Sequence, residues 1–227
     1  METLSPIEKH GFVILPEVFS QAEMQLLIDD LDQSALSRTN AGVRHVLKHP
    51  AVAKLACEPR LLRIAQEVLG LGAAPFRATL FDKSPQANWL VVWHQDTALP
   101  LREQRDIPGW GPWSVKDGVI YAHAPASALR RVVALRIHID DSVAQNGPLR
   151  VLPATHTHGV LSDDAIQEAV TQIQPVNCLV PQGGVLAMKP LLVHASSKSR
   201  AEMPRRVLHI EYSETIVVDA NLELAVV

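Results

Sequence analysis

The segment VVWHQDTALPL, residues 91–101, places a histidine and an aspartate two positions apart at the end of an apolar, β-branched run. Side chains two apart on a strand point to the same face, so His94 and Asp96 can converge if the strand continues through Gln95. An imidazole and a carboxylate together suit a divalent first-row metal. The alternative is that the strand ends at Trp93 and the two polar residues begin a solvated loop.

A second apolar run, GGVLAMKPLLVHASS at residues 183–197, leads to His194. Both histidines therefore follow apolar strands, as expected at one mouth of a small barrel. Two histidines and one carboxylate on one face of a metal leave its other positions open, which is the arrangement of non-haem Fe(II) oxygenases. Zinc would accept the same ligands, although the chain has no HExxH helix.

Eleven residues beyond His194, the segment PRRVLHIEY contains Arg205 and Arg206. A guanidinium can hold a carboxylate in a bidentate fork, as a chelating 2-oxo acid would require at its far end. Strand alternation groups Arg206 with the apolar Leu208 and groups Arg205 with His209. Barrel interiors near metals are polar, so alternation leaves the choice of inner face open. Both arginines could also be surface charges on an edge strand.

The elements that would position these side chains begin with a mostly helical region over residues 1–74. Ser20 and Glu23 have the spacing of a capping box and precede apolar residues at helical intervals. A second helix is predicted to start at Pro59 and to stop at Gly70.

From residue 75 to 215, short β-branched or aliphatic runs separated by turns replace the helical pattern. They do not alternate regularly with helices, which argues against a parallel α/β sheet. The sequence therefore predicts one domain over residues 1–227, mainly β with flanking helices. Its expected architecture is a double-stranded β-helix (jelly roll, cupin-like) with the N-terminal helices packed outside.

Residues 97–130 do not show this pattern of short apolar runs. They form a long stretch rich in proline and glycine that also contains Trp110 and Trp113. A long loop inside a compact domain is commonly functional. Since it directly follows the His94/Asp96 pair, we expect an active-site lid whose tryptophans line the substrate pocket. The alternative is that the segment packs a small satellite core of its own.

Other charged residues are candidates for the substrate pocket. Arg136 lies on the side of its strand opposite the apolar residues, so it could receive an acidic group of the substrate or form a structural salt bridge. Arg44 could reach the pocket from the segment before the barrel, or it could be a solvated charge. His156 and His158 are interpreted as loop histidines because no strand end accompanies them.

Composition excludes several classes of function. The 227 residues are 47% hydrophobic, which favours a packed core. Their formal net charge of −3 does not provide the positive surface that nucleic-acid binding requires. No run is basic enough for a membrane surface or long and apolar enough for a membrane span. With two cysteines in unrelated contexts and no pattern of a signal peptide, the expected location is cytoplasmic.

The motifs WHQD, NGPLRVLPATHTHG, HASS and PRRVLHIEY occur in this order between residues 93 and 212. Together they resemble the phytanoyl-CoA dioxygenase family of Fe(II)/2-oxoglutarate oxygenases. The resemblance implies a double-stranded β-helix with Fe(II) held by His94, Asp96 and His194. It also implies O2 and 2-oxoglutarate as co-substrates.

The resemblance further implies that the arginine eleven positions after the distal histidine holds the C5 carboxylate of 2-oxoglutarate, which favours Arg205 over Arg206. Ser196 matches a serine that can donate a hydrogen bond to the same carboxylate. Asp96 stands where halogenating relatives have a small residue. The chain departs from the family at Arg136, where some relatives carry an aromatic residue.

The expected function is hydroxylation of an unactivated carbon in a small-molecule metabolite, with succinate and CO2 as co-products. The same cofactors could instead serve desaturation, epimerisation or cyclisation. A second class of function is a non-catalytic jelly-roll protein that binds a metal or a small ligand. A zinc-dependent hydrolase is the weakest alternative, because no carboxylate stands out as its general base.

Overall fold

The computed structural model describes residues 4–34, 42–85 and 87–227. Parts of the expected helical start, at residues 1–3 and 35–41, lie outside the described residues. Strands and helices follow in the order α1 (Ser5–His10), β1 (Phe12–Leu15), α2 (Gln21–Gln33), β2 (Val43–Arg44), α3 (Pro50–Ala56), α4 (Pro59–Leu69), β3 (Ala74–Lys83), β4 (Val91–His94), β5 (Ala98–Leu101), β6 (Trp113–Lys116), β7 (Val119–His123), α5 (Ala126–Leu129), β8 (Val132–His138), β9 (Leu149–Val151), α6 (Asp163–Gln172), β10 (Val176–Cys178), β11 (Val185–Met188), β12 (His194–Ser196) and β13 (Arg205–Ser213).

Two antiparallel sheets face each other across the domain. The major sheet has the order β1-β11-β8-β13-β3-β2, and the minor sheet has the order β10-β9-β12-β4. Lys83 on β3 donates a hydrogen bond across the gap to Ser196 on β12. This arrangement is the predicted double-stranded β-helix.

The outer face of the major sheet is apolar and is covered by the helices. Leu135 on β8 and Leu208 on β13 belong to the same buried cluster as Met24 of α2, Val52 of α3 and Leu61 of α4. Burying such a continuous apolar surface is the main stabilising contribution to a fold of this kind. It also decides the alternation of β13, because the residues on the Leu208 side must face the helices.

The predicted helix boundaries are confirmed by their caps. Ser20 accepts a hydrogen bond from the backbone N–H of Glu23, and the Glu23 side chain accepts one from the N–H of Ser20, which completes the capping box. Helix α4 has Pro59 at its first turn and ends at Gly70, whose φ of 93° lies in the left-handed region.

The expectation of a long loop over residues 97–130 is wrong. Strands β5, β7 and β6 form a third, three-stranded sheet in this segment, and α5 follows it. Its strands are only four or five residues long, and β5 contains a proline and β6 a serine and a lysine, so the apolar alternation that marks a strand is weak. The mostly helical start likewise contains β1 and β2, which extend the major sheet at both edges.

No helix in the described parts of the chain is both long and apolar enough to cross a membrane.

Candidate metal centre

The side chains of His94, Asp96 and His194 converge at one mouth of the barrel. The ligand atoms of the three residues all lie within 4.8 Å of one another. His94 is paired directly opposite His194 across β4 and β12, so the two imidazoles leave adjacent strands side by side. Nε2 of His94 lies 3.6 Å from Oδ1 of Asp96, and Nε2 of His194 lies 3.5 Å from Oδ2.

Backbone carbonyl groups fix the orientation of both imidazoles. Nδ1 of His94 lies 2.9 Å from the carbonyl oxygen of Val92, and Nδ1 of His194 lies 2.8 Å from that of Leu192. Because a carbonyl oxygen only accepts, each Nδ1 must carry the proton. Each Nε2 then presents its lone pair to the space beside Asp96, which is the tautomer that a metal ligand requires.

The glutamine between the two ligands holds the strand end in place. The Gln95 amide donates to the carbonyl oxygens of Gly159 (2.9 Å) and Leu191 (2.6 Å), and its oxygen accepts from the N–H of Leu161 (2.8 Å). The backbone N–H of Asp96 also donates to the carbonyl of Pro190. These bonds tie the chain after β4 to the segment that precedes β12, so all three ligands share one support.

The charges at the centre favour the metal-binding forms of Asp96 and His194, whereas the Asp96 carboxylate outweighs burial and raises the pKa of His94. Burial raises the pKa of Asp96, but the neighbouring His194 and His94 outweigh burial and hold that pKa well below its usual range. Burial lowers the pKa of His194 to about 4. At neutral pH the carboxylate is therefore charged and the His194 ring neutral, as metal binding requires.

A cavity of about 120 Å³ adjoins the three ligands. The basic side chains Lys83, Arg136 and Arg205 line it, whereas Asp96 is the one acid among its lining residues. Arg205 is 3% exposed, and its Nε donates to the carbonyl of Asn146 while Nη1 is buried without a partner among the described residues. A buried cation of this kind is strongly stabilised by a bound anion.

Lys83 is a site residue that the sequence analysis did not identify. It is 1% exposed, and its ammonium group donates to Oγ of Ser196 (2.9 Å) and to the carbonyl of Ser197 (2.7 Å). Burial, together with the charges of Arg205 and Arg136, lowers its pKa to about 7. Lys83 is the last residue of β3 and lies directly opposite Arg205, so its place in the site depends on the pairing of β3 with β13.

The neighbouring Arg206 points away from the cavity. It donates two hydrogen bonds of 2.8 Å to the carboxylate of Asp140, and it is not among the residues that line the cavity. The structure thus places Arg205 at the cavity and Arg206 on the other face of β13.

Arg136 lies at the cavity, on the same face of the major sheet as Arg205. Its Nη1 donates to Nδ1 of His209 at 3.0 Å, and its guanidinium lies 5.2 Å from the ring centroid of Phe81. No carboxylate of the described residues forms an ion pair with it. Its Nε is buried and has no hydrogen-bond partner among them.

Three of the candidate pocket residues lie elsewhere. Trp110 is buried in a separate apolar cluster with Leu99 and Leu222, and its indole N–H donates to Asp219. Trp113 packs against the same cluster, which is the satellite-core alternative. Arg44 is exposed and lies 3.7 Å from Asp117. None of the three lines this cavity, and their place in the substrate pocket stays a prediction.

The side chains of the centre fit a divalent metal chelated by a small dianion. Two correctly oriented imidazoles and one ionised carboxylate supply three nitrogen and oxygen ligands and leave further positions open. The orphaned nitrogen of Arg205 supplies a hydrogen-bond donor for an anion in the adjoining cavity.

Comparison with known proteins decides the family. The sequence model of "Phytanoyl-CoA dioxygenase (PhyH)" matches residues 7–207, which is most of the chain. The chain belongs to the phytanoyl-CoA dioxygenase (PhyH) family. The resemblance inferred from the four motifs is thereby confirmed.

The curated relatives that match this chain are distant in sequence. An ectoine dioxygenase from Stutzerimonas stutzeri (strain A1501) is 22% identical over 175 residues, which cover 70% of this chain and 51% of the relative. An L-proline trans-4-hydroxylase from Streptomyces griseoviridis is 25% identical over 197 residues, or 74% of this chain and 65% of the relative. The chain therefore spans between about half and two thirds of the length of these relatives.

Among solved structures, EctD from S. alaskensis with 2-oxoglutarate and 5-hydroxyectoine superposes on this PhyH chain with a TM-score of 0.70. The sequence identity is 19%, and the match covers 93% of this chain and 74% of that one. The likeness shows the fold, a jelly roll with helices outside.

Proposed function

We propose that this protein is an Fe(II)- and 2-oxoglutarate-dependent oxygenase that hydroxylates an unactivated carbon of a small-molecule metabolite, with succinate and CO2 as co-products. The observation that carries the proposal is the convergence of His94, Asp96 and His194 beside a cavity lined by Arg205. Membership of the PhyH family and the relatives' names, ectoine dioxygenase and L-proline trans-4-hydroxylase, support the reaction class.

Each residue has a role that follows from its position. His94, Asp96 and His194 would hold the iron on one face and leave the opposite face for co-substrates. Arg205 would pair with the far carboxylate of 2-oxoglutarate, and Lys83 and the Ser196 hydroxyl lie beside it. Iron and 2-oxoglutarate, when bound, would supply the electrons that activate dioxygen, the oxidant that removes hydrogen from an unactivated carbon.

The direction of substrate approach follows from the exposure of the ligands. The side chain of His194 is 4% exposed, whereas those of His94 and Asp96 are 37% and 28% exposed. The small cavity on the His194 side would take the co-substrate. The metabolite would then reach the iron from the solvent side, over His94 and Asp96.

An anaerobic visible spectrum of the Fe(II)-loaded protein, before and after addition of 2-oxoglutarate, tests the proposal. A metal-to-ligand charge-transfer band is expected for the native protein and is expected to weaken in Asp96→Ala and Arg205→Ala. Arg206→Ala is the matched control, because that arginine pairs with Asp140 outside the cavity, and it should keep the band.

If the native protein gives no band although it is folded and contains iron, the oxygenase proposal fails and the binding-protein alternative replaces it. If the band forms, release of succinate from 2-oxoglutarate in the presence of candidate metabolites becomes the next measurement. Candidates start from the relatives' substrates, ectoine and L-proline.

A further inference from the structure

The inner face of the major sheet carries two arginines at different distances from the metal centre. Arg205 is directly opposite Lys83, and Arg136 is directly opposite His209, which lies four residues further along β13. Four residues of strand span about 13 Å. Both arginine side chains nevertheless line the same cavity, so they reach it from two ends.

The strand register separates the two arginines along the cavity. Lys83, directly opposite Arg205, bonds to Ser196 and Ser197, which follow His194 in the chain, so Arg205 lies at the end of the cavity beyond that ligand. Arg136, opposite His209, lies at the other end. Asp96 raises the pKa of Arg136 against the effect of burial, which agrees with a position near the metal-binding carboxylate.

The guanidinium of Arg136 is held in place by its neighbours and still has a nitrogen without a hydrogen-bond partner among the described residues. A guanidinium only donates, so Nδ1 of His209 must accept its hydrogen bond, and the ring of Phe81 flanks the charge. Arg136 is 6% exposed, with its Nε unpartnered and no carboxylate of the described residues paired with it. A desolvated cation in this condition calls for an anionic ligand.

The shape of the ligand matches two guanidinium groups. A 2-oxo diacid has a carboxylate at each end, and Arg205 and Arg136 reach the cavity from its two ends. The cavity of about 120 Å³ is of the size of one small organic acid.

We propose that Arg136 binds the metal-side (C1) carboxylate of 2-oxoglutarate, so that the co-substrate is clamped between two guanidinium groups, Arg205 at its far end and Arg136 beside the iron. The inference rests on the proposed function and deepens it. It assigns to this chain a co-substrate contact at a position where some relatives carry an aromatic residue.

Equilibrium binding to the anaerobic Fe(II) protein tests the clamp, with calorimetry and the charge-transfer band as readouts. The two probes are 2-oxoglutarate and 2-oxopentanoate, which keeps the C1 carboxylate and the keto group but lacks the C5 carboxylate. Arg136→Met is expected to weaken the binding of both probes about 10–100-fold, since it removes a charge-assisted contact that both probes make. Arg205→Met should weaken 2-oxoglutarate alone.

Two further variants keep the test informative. Arg136→Lys retains the charge without the planar fork and should recover part of the affinity for both probes. Arg206→Met should leave both affinities unchanged.

Three results would overturn the clamp. If Arg136→Met and Arg136→Lys bind both probes as the native protein does, Arg136 has no part in the co-substrate site. If Arg136→Met weakens the binding of 2-oxoglutarate but not that of 2-oxopentanoate, Arg136 contacts the far carboxylate instead. If the native iron-loaded protein binds neither probe, the proposed function fails as well, which separates that failure from the first two.

Discussion

At the scale of single residues, the positions of the metal ligands His94 and Asp96 depend on the residue between them. Gln95 is 8% exposed and uses both ends of its amide to hold three backbone groups. These groups belong to the chain on either side of the barrel mouth. Loss of the amide would leave buried backbone donors and acceptors unpaired, which costs more than the bonds themselves contribute.

Gln95→Ala is therefore expected to lower the free energy of unfolding by about 1–3 kcal/mol and to weaken metal binding about 10–100-fold, as for other groups that orient metal ligands. Chemical denaturation and competition with a metal-binding dye measure the two effects. Gln172→Ala is the control, because the Gln172 amide bonds only to exposed Glu168 in the described structure. Unchanged metal affinity in Gln95→Ala would refute the positioning role.

The low pKa of Lys83, about 7, links co-substrate binding to protons. Burial and the charges of Arg205 and Arg136 depress it, and the other polar neighbours are the Ser196 hydroxyl and the Ser197 carbonyl. Above pH 7 the folded protein holds Lys83 neutral, while the unfolded chain keeps its lysines protonated up to about pH 10.4. An anion favours the charged form, so binding above pH 7 should take up a proton.

We expect 2-oxoglutarate binding to the metal-loaded protein to take up close to one proton near pH 8.5. Calorimetry in two buffers of different ionisation enthalpy measures this uptake. At pH 6, where Lys83 is already charged, the uptake should vanish, and it should be absent from Lys83→Met at both pH values. Uptake that persists in Lys83→Met would assign the proton to another group.

At the scale of elements, the start of α2 is joined to α4 by a charged network. Glu23 belongs to the capping box and also accepts from Nη2 of Arg60 at 2.6 Å. The hydrogen bond from Arg60, together with those from Ser20, lowers the pKa of Glu23 from its usual 4.5 to about 2. A carboxylate with a depressed folded-state pKa contributes stability above its unfolded pKa and loses it as the pH falls through the folded value.

Glu23→Gln keeps a capping-box acceptor but removes the charge, so it isolates the link to Arg60. Because both side chains are about 40% exposed, the expected loss at pH 7 is only about 0.5 kcal/mol. The difference from the native protein should shrink between pH 4.5 and 2, as followed by urea denaturation. Glu67→Gln on α4, which makes no ion pair with a described residue, should show no such trend.

Sequence patterns located the elements whose ends depend only on residues that are close together in the chain. Ser20, Pro59 and Gly70 mark helix ends because capping and backbone geometry depend on a few neighbouring residues. The choice between Arg205 and Arg206 could not be made from alternation, because it depends on which face of β13 the helices cover. That contact joins residues more than a hundred positions apart, and only the resemblance to the family favoured Arg205.

At the scale of the whole molecule, the metal centre lies on the minor sheet and the cationic cavity residues lie on the major sheet. His94 and His194 are on β4 and β12, whereas Arg136 and Arg205 are on β8 and β13. Across the gap, Lys83 and Ser196 form a direct hydrogen bond. A metal with a chelating co-substrate would add bonds to both sheets at once, so their binding should stabilise the fold as a unit.

Divalent metal at about one hundred times its dissociation constant should stabilise the folded state by about 2.7 kcal/mol. For a domain of this length, that corresponds to a rise of about 5–10 °C in the thermal midpoint, measured by scanning calorimetry with Mn²⁺ and with a chelator. 2-Oxoglutarate should add a further rise only when metal is present, because the chelate needs both. The rise should disappear in His94→Ala and persist in His158→Ala, which removes an exposed histidine outside the centre. A rise that survives in His94→Ala would place the stabilising metal elsewhere and leave the two sheets uncoupled at this mouth.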